Sequence, residues 1–149
     1  MRNDSYNPAP TRNAAEVSWQ DLEARYEVLS SYTLSPNAPA DVAIQFEHAK
    51  NLYLYAWFGP RFHVLAQQHA LTTLELALRR SLERGGLLDG RQTPKPGLEE
   101  LLAIAKDHGL IQRLPQQQGT NAYAVSKPRH WALGRFEEVK EIVNQLYPA

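Results

Sequence analysis

NLYLYAWFGPRFHVLAQQHALTTLELALRRSLERGG, residues 51–86, holds the longest amphipathic pattern of this chain. Apolar side chains recur after its proline at spacings of seven, three and four residues, which predicts a helix over residues 61–84. The predicted buried stripe consists of Val64, Leu71, Leu74, Leu78 and Leu82. The glycine pair at the end of the stretch terminates this helix. We therefore expect the helix to supply the centre of the core, with Leu74 and Leu78 buried.

The dipeptide Gly59-Pro60 interrupts the stretch. Proline lacks a backbone N–H and clashes with the preceding helical turn, but it suits the first position of a new helix. We therefore expect two helical segments that stay nearly continuous, the first of them covering residues 40–58. Its predicted apolar surface comprises Val42, Ile44, Phe46, Ala49, Leu52, Tyr53, Ala56 and Trp57.

Helical patterns also flank the stretch on both sides. A capping-box-like start at Ser18 predicts a helix over residues 18–31. Its buried stripe would contain Leu22, Tyr26 and Leu29. Two further helices are predicted over residues 97–108 and 130–147, the last with Trp131, Phe136, Val139, Ile142, Val143 and Leu146 facing inward.

These elements predict an all-α, up-and-down bundle of about five helices. Residues 17–149 would form this bundle as a single domain. The preceding residues, 1–16, are polar, contain two prolines and show no periodicity. That composition predicts a disordered N-terminal arm.

The composition excludes several classes of protein and site. Lys and Arg balance Asp and Glu at 16 each, so there is no general attraction to nucleic acid or to anionic membranes. No cysteine is present, which excludes disulfides, thiolate metal sites and a thiol nucleophile. The histidines lack metal-binding spacing, and no apolar run approaches the ~20 residues of a membrane helix. We expect a cytoplasmic protein without membrane segment, metal or cofactor.

Charged side chains late in the long helix are candidate ligand-binding or catalytic groups. Glu75 and Arg79 are one helical turn apart, which fits either an exposed ion pair or a carboxylate that holds the arginine in a cleft. Arg79, Arg80 and Arg84 could bind a phosphate. Three arginines near a helix C-terminus are also favoured by the helix dipole alone, so both explanations stay open.

Three stretches resemble the HEPN superfamily, the small helical domains of bacterial defence and toxin–antitoxin systems. They are FEHAKNLYLYAWFGPRFHVLAQQHALTTLELALRR, residues 46–80; GLEELLAIAKDHGLI, residues 97–111; and EIVNQLYP, residues 141–148. The resemblance implies an up-and-down bundle that is often a homodimer. In active members it implies metal-independent RNA cleavage by an Arg, usually followed by Asn, and a His four to six residues later. The His would transfer protons and the Arg would stabilise charge at phosphorus.

This chain departs from that motif. Where the motif is expected, just before the last helix, Arg129 and His130 are adjacent. Neighbouring positions on a helix diverge by about 100°, so the two side chains do not aim easily at one phosphate. The interruption at Gly59-Pro60 is a second departure. Both departures favour a degenerate, non-catalytic member over a nuclease.

Three functional hypotheses follow. The leading one is a non-catalytic, HEPN-like interaction module, homodimeric and with a protein partner, linked to bacterial defence or toxin–antitoxin regulation; its predicted dimer surface contains Tyr53, Trp57 and Trp131. The first alternative is a metal-independent ribonuclease that acts on RNA through a displaced site, with Arg129, His130, Glu75 and Arg79 as candidates. The second is a bundle that binds a small molecule or nucleotide among Tyr53, Tyr55, Trp57 and Phe58, for which core packing is the competing explanation.

Overall fold

The computed structural model describes residues 19–89, 95–113 and 128–149, with side chains described from residue 21 in the first range and from residue 131 in the last. Within these ranges the chain forms five α-helices and no strand: α1, Trp19–Ser30; α2, Ala40–Tyr55; α3, Phe62–Arg84; α4, Leu98–Asp107; and α5, Pro128–Leu146. The predicted all-α bundle is confirmed, with each helix close to its predicted bounds. The predicted arm, residues 1–16, lies outside the described residues. No described helix has the length and apolar character needed to cross a membrane.

α2 and α3 form an antiparallel hairpin that is the framework of the bundle. Side-chain pairs across the hairpin lie progressively farther from the turn: Tyr55 with Phe62, Tyr53 with His63, His48 with His69, and Asp41 with Arg80. The chain therefore reverses direction between the two helices. The expectation that α2 and α3 stay nearly continuous is wrong.

Local sequence explains this reversal. α2 ends at Tyr55, three residues before its predicted end, and the N–H of Phe58 donates to the Tyr55 carbonyl over 2.9 Å. Such a bond to the third preceding residue tightens the last helical turn. A Cβ on Gly59 would lie 3.2 Å from the Phe62 ring, so a larger residue would push that ring aside. Pro60 has no N–H with which to continue α2.

α3 lies at the centre of the bundle and packs against α2, α4 and α5. Its fully buried apolar side chains are Ala66, Ala70, Leu74, Ala77, Leu78 and Leu82. Burial of Leu74 and Leu78 confirms the prediction for the core. Val64, however, is 50% exposed. It lies ten residues before Leu74, which places it about 80° from Leu74 around an α-helix, and His63 faces inward instead.

Not every apolar residue of the patterns predicted for α1 and α2 is buried. Tyr26 on α1 is 65% exposed and Ile44 on α2 is 54% exposed. On α1 the inward positions are Arg25 and Leu29, which are one helical turn apart. The Arg25 guanidinium lies 5.6 Å from the centroid of the Tyr53 ring. This cation–π contact allows an arginine to occupy an inward position.

α5 covers the hairpin and completes the core. Phe136 packs edge-on against Phe46 and Tyr53, at centroid distances of 6.0 and 5.8 Å. After the helix, the buried Tyr147 hydroxyl donates to the Ala77 carbonyl over 3.0 Å, and burial raises the pKa of Tyr147 above its ordinary value of 10.0. These contacts make α5 antiparallel to α2 and give it the same direction as α3.

Candidate interaction surface

A groove lies between α1 and the C-terminal end of α2. It has a volume of about 430 Å³ and is lined by Leu22, Glu23, Tyr26, Glu27, Leu54, Tyr55 and Phe58. The groove forms because α1 packs antiparallel on α2, so that the first turns of α1 meet the last turn of α2. Apart from the two carboxylates, its lining is apolar or aromatic. Covering it with another apolar surface would release water and be favourable.

Three aromatic side chains in the lining of this groove are exposed. Tyr26, Tyr55 and Phe58 are 65%, 57% and 72% exposed. Phe62 extends the group, because its ring lies 6.2 Å from that of Tyr55 and it is 37% exposed. A contiguous aromatic patch on a soluble domain commonly marks an interaction site. We call these four residues the aromatic patch.

Carboxylates follow the α1 side of the groove. Glu23 and Glu27 are exposed, and neither is in an ion pair with a described residue. Asp21 adds a third exposed carboxylate on the same helix. Arg25, the one cation among the described side chains of α1, is only 8% exposed and is turned toward Tyr53. The outer face of α1 is therefore acidic beside an apolar groove.

A second group of exposed apolar side chains lies at the start of α3. Val64 and Leu65 are 50% and 46% exposed.

The predicted dimer surface is wrong in one of its residues. Tyr53 is fully buried because it packs against Phe136 and below Arg25. Trp131, also predicted to face inward on α5, is 39% exposed.

The predicted pair of Glu75 and Arg79 forms. Arg79 Nη2 lies 2.6 Å from Glu75 Oε1 and also donates to the Pro96 carbonyl over 2.7 Å. The side chains of Arg79 and Glu75 are 25% and 39% exposed, so the pair is half-buried. Because Pro96 precedes α4, the guanidinium connects α3 to the segment that leads into α4. Its hydrogen bonds stabilise the fold at this point.

Two of the three arginines predicted to bind phosphate form ion pairs with carboxylates of the protein. Arg80 Nη2 lies 2.8 Å from Asp41 Oδ2 and links α3 to the first turn of α2. Arg79 is held by Glu75. Arg84 is exposed and is in no ion pair with a described residue. A phosphate at this helix end would compete with two carboxylates for the guanidinium groups.

Arg129 and His130 are consecutive residues in the first turn of α5. α5 starts at Pro128, so both belong to the helix rather than to the segment before it. Their side chains lie outside the described residues. Their backbone positions are separated by about 100° around the helix axis.

A polar cluster that sequence analysis does not identify lies where α1, α2 and α3 meet. The Tyr53 ring centroid lies 5.6 Å from the Arg25 guanidinium carbon and 5.4 Å from the His63 ring centroid. Arg25 and His63 are 8% and 6% exposed. Their spacing from buried apolar residues indicates that both face inward. Arg25 lies one helical turn before Leu29, and His63 lies one turn before Ala66. Burial shields all three polar side chains from solvent.

Two histidines meet in the middle of the hairpin. The His48 and His69 rings have a centroid distance of 6.0 Å, and Nε2 of His69 is shielded from solvent without a hydrogen-bond partner among the described residues. Burial, and then the neighbouring His48, lower the pKa of His69 below its ordinary value of 6.5. The described parts of the chain contain no group of three or more His, Asp or Glu side chains that could hold a metal ion.

The aromatic residues of the predicted small-molecule pocket do not share one site. Tyr53 is buried in the core, whereas Tyr55 and Phe58 line the groove. Trp57 packs edge-on against Phe58 at a centroid distance of 4.7 Å.

Comparisons of the chain with protein-family models, curated proteins and solved structures found no match.

Proposed function

We propose that this chain is a non-catalytic, HEPN-like helical interaction module that binds other proteins through exposed apolar side chains. The observation that carries the proposal is the aromatic patch, Tyr26, Tyr55, Phe58 and Phe62, beside an open groove. Leaving apolar area in water costs roughly 25 cal/mol per Å². A partner that covers the patch removes this cost.

The candidate catalytic residues support a non-catalytic role. Metal-independent RNA cleavage needs a proton-transfer group and a cation at the same phosphate. Arg129 and His130 occupy neighbouring positions in the first turn of α5, about 100° apart around the helix axis. Glu75 and Arg79 bind each other, and Arg79 also binds a backbone carbonyl.

The resemblance to HEPN domains adds a homodimer, and a setting in bacterial defence or toxin–antitoxin regulation, to this proposal. Val64 and Leu65 supply a surface for the second copy because they are neighbours and half exposed. Residues 62–74 contain no Asp, Glu, Lys or Arg. Two copies can therefore meet along this part of α3 without placing like charges opposite each other.

Light scattering over a concentration series tests the proposed homodimer. We expect a mass twice that of the 16.9 kDa chain. Replacing Val64→Ser and Leu65→Ser together should raise the dimer dissociation constant about tenfold or more, because apolar contacts at the centre of an interface carry much of its affinity. Ile44→Ser, at another exposed apolar position, is the matched control and should leave the mass unchanged. A monomer at every concentration would remove the homodimer from the proposal.

A further inference from the structure

We infer that the groove between α1 and α2 binds a basic amphipathic helix of a partner protein. This inference rests on the proposed function and deepens it, because it names the chemistry of the partner. The groove combines apolar side chains of Leu22 and Leu54 with the exposed rings of Tyr55 and Phe58. The exposed carboxylates of Glu23 and Glu27 on α1 lie beside them, and we call this pair the acidic wall. A helix with one apolar face and Lys or Arg along its edge matches both features.

The acidic wall decides the charge of the partner. Glu23 and Glu27 stand one helical turn apart beside the groove, and their carboxylates are in no ion pair with a described residue. Arg25 lies between them in sequence, but it is 8% exposed and packs on the Tyr53 ring, so it does not cover their outer side. Cations on the edge of a bound helix meet these carboxylates, whereas Asp or Glu at the same edge would be repelled.

The length of the groove fits one face of a helix. Its α1 side runs from Leu22 to Glu27, a rise of about 7.5 Å at ~1.5 Å per residue. A bound helix covers this distance in about one and a half turns and places apolar residues at spacings of three and four along it. Tyr26, Tyr55 and Phe58 are each more than half exposed and become its aromatic contacts. Aromatic side chains in such positions carry a large share of the binding energy at interfaces.

The same features disfavour other occupants. In a two-fold dimer the same surface of both copies meets itself, which would bring the Glu23 and Glu27 carboxylates of both copies into one interface. An anionic membrane surface is repelled by these carboxylates. A small molecule is usually held in a concave pocket by convergent polar groups, whereas the aromatic rings here are exposed. The groove therefore favours a cationic helix.

The test uses the full chain and a synthetic peptide of Leu and Lys, about 18 residues long so that it can form a helix on binding. Fluorescence anisotropy measures the affinity of this peptide for the wild type, for Phe58→Ser and for the double variant Glu23→Lys, Glu27→Lys. We expect Phe58→Ser to weaken binding about tenfold or more through loss of an aromatic anchor. Charge reversal should have an effect of about the same size, and the double variant should gain affinity for a matched peptide of Leu and Glu.

Two matched control variants distinguish peptide binding in the groove from non-specific binding elsewhere on the surface. Ile44→Ser removes an apolar side chain that is 54% exposed and does not line the groove. The double variant Glu99→Lys, Glu100→Lys reverses the same number of charges at exposed positions of α4. Both should bind the Leu/Lys peptide as the wild type does.

Four results would overturn the inference. Three of them are absence of peptide binding by the wild type, equal weakening by the control variants, and equal affinity of the wild type for the Leu/Glu peptide. The fourth is a homodimer that dissociates in Phe58→Ser, which would assign the groove to a second copy. If the peptide fails while a homodimer forms through Val64 and Leu65, the proposed interaction module stands and only this partner is wrong.

Discussion

At the scale of single residues, His69 shows how packing changes the chemistry of a side chain. Its imidazole lies between α2 and α3, with Nε2 shielded from solvent and without a partner among the described residues. Charging this group in the folded state is unfavourable because partial burial removes some of its hydration and because His48 adds repulsion from across the hairpin. The folded protein therefore holds the proton on His69 less tightly than the unfolded chain does.

This difference predicts a loss of stability in mild acid. The pKa of His69 is lowered in the folded state, so between that value and the ordinary value of 6.5 the unfolded chain binds more protons. Its contribution to stability is fully present above pH 6.5 and decreases as the pH falls through this window. Urea unfolding at pH 7.5, 6.5 and 5.5 should show a smaller loss of unfolding free energy for His69→Gln than for the wild type. His108→Gln, at the exposed residue that follows α4, is the control; equal losses in His69→Gln and the wild type would contradict the prediction.

Arg25 explains why α1 is rotated relative to its predicted face. A pattern of apolar residues places Leu22, Tyr26 and Leu29 inward, because it counts an arginine as polar. The Tyr53 ring supplies a partner for the guanidinium, and this partner comes from a different helix. The sequence of α1 alone does not contain that information, and the exposed Tyr26 becomes available to the groove.

At the scale of helices, the extent of each element is predictable because caps, glycines and prolines act locally. The inward positions Phe136, Val139, Ile142 and Val143 on α5 are buried as predicted. The reversal between α2 and α3 is less predictable, since Gly59-Pro60 is compatible with a kink as well as with a turn. Contacts across the hairpin, such as the one between His48 and His69, decide between these outcomes.

The groove could be predicted only in part. Tyr55 and Phe58 are recognisable in the sequence as members of an aromatic cluster, but the pattern does not separate them from the buried Tyr53. That separation depends on where α2 ends and on how α1 crosses it. The acidic wall likewise requires knowing that Arg25 is turned inward, away from Glu23 and Glu27.

The central helix gives a prediction at this scale. Leu78 is fully buried in the face of α3 that packs on its neighbours. Leu78→Ala should lower the free energy of unfolding by roughly 2–5 kcal/mol, because it removes buried apolar area and leaves a cavity. Ile44→Ala, at a position that is 54% exposed, should cost no more than about 0.5 kcal/mol. Urea unfolding followed by circular dichroism measures both, and a cost for Leu78→Ala in the range of the control would contradict this account of the core.

At the scale of the whole molecule, the bundle separates its surfaces by chemistry. The interior is filled by the apolar faces of α2, α3 and α5, and the arginines of α3 are directed to carboxylates or left at the helix end. The acidic face of α1 lies beside the aromatic patch, whereas the first turns of α3 are uncharged. The proposed homodimer through α3 and the proposed basic partner on α1 and α2 would use different side chains, so one copy of the bundle could hold both.

The positions of Arg129 and His130 in α5 predict the outcome of an assay for RNA cleavage. Arg129 and His130 are neighbours in the first turn of α5, so their backbone positions diverge by about 100° around the helix axis, which is unfavourable for joint action on a single phosphate. We expect the purified protein to leave single-stranded RNA uncut in the presence of a chelator, and His130→Ala to behave as the wild type does. Removing one acid–base catalyst usually lowers a rate by about 10²–10⁴-fold. The contradicting result would be cleavage by the wild type that falls by such a factor in His130→Ala but not in His108→Ala. Only a group at the reacting phosphate would make the rate depend on one histidine and not on the other. The protein would then be a nuclease and not a non-catalytic interaction module.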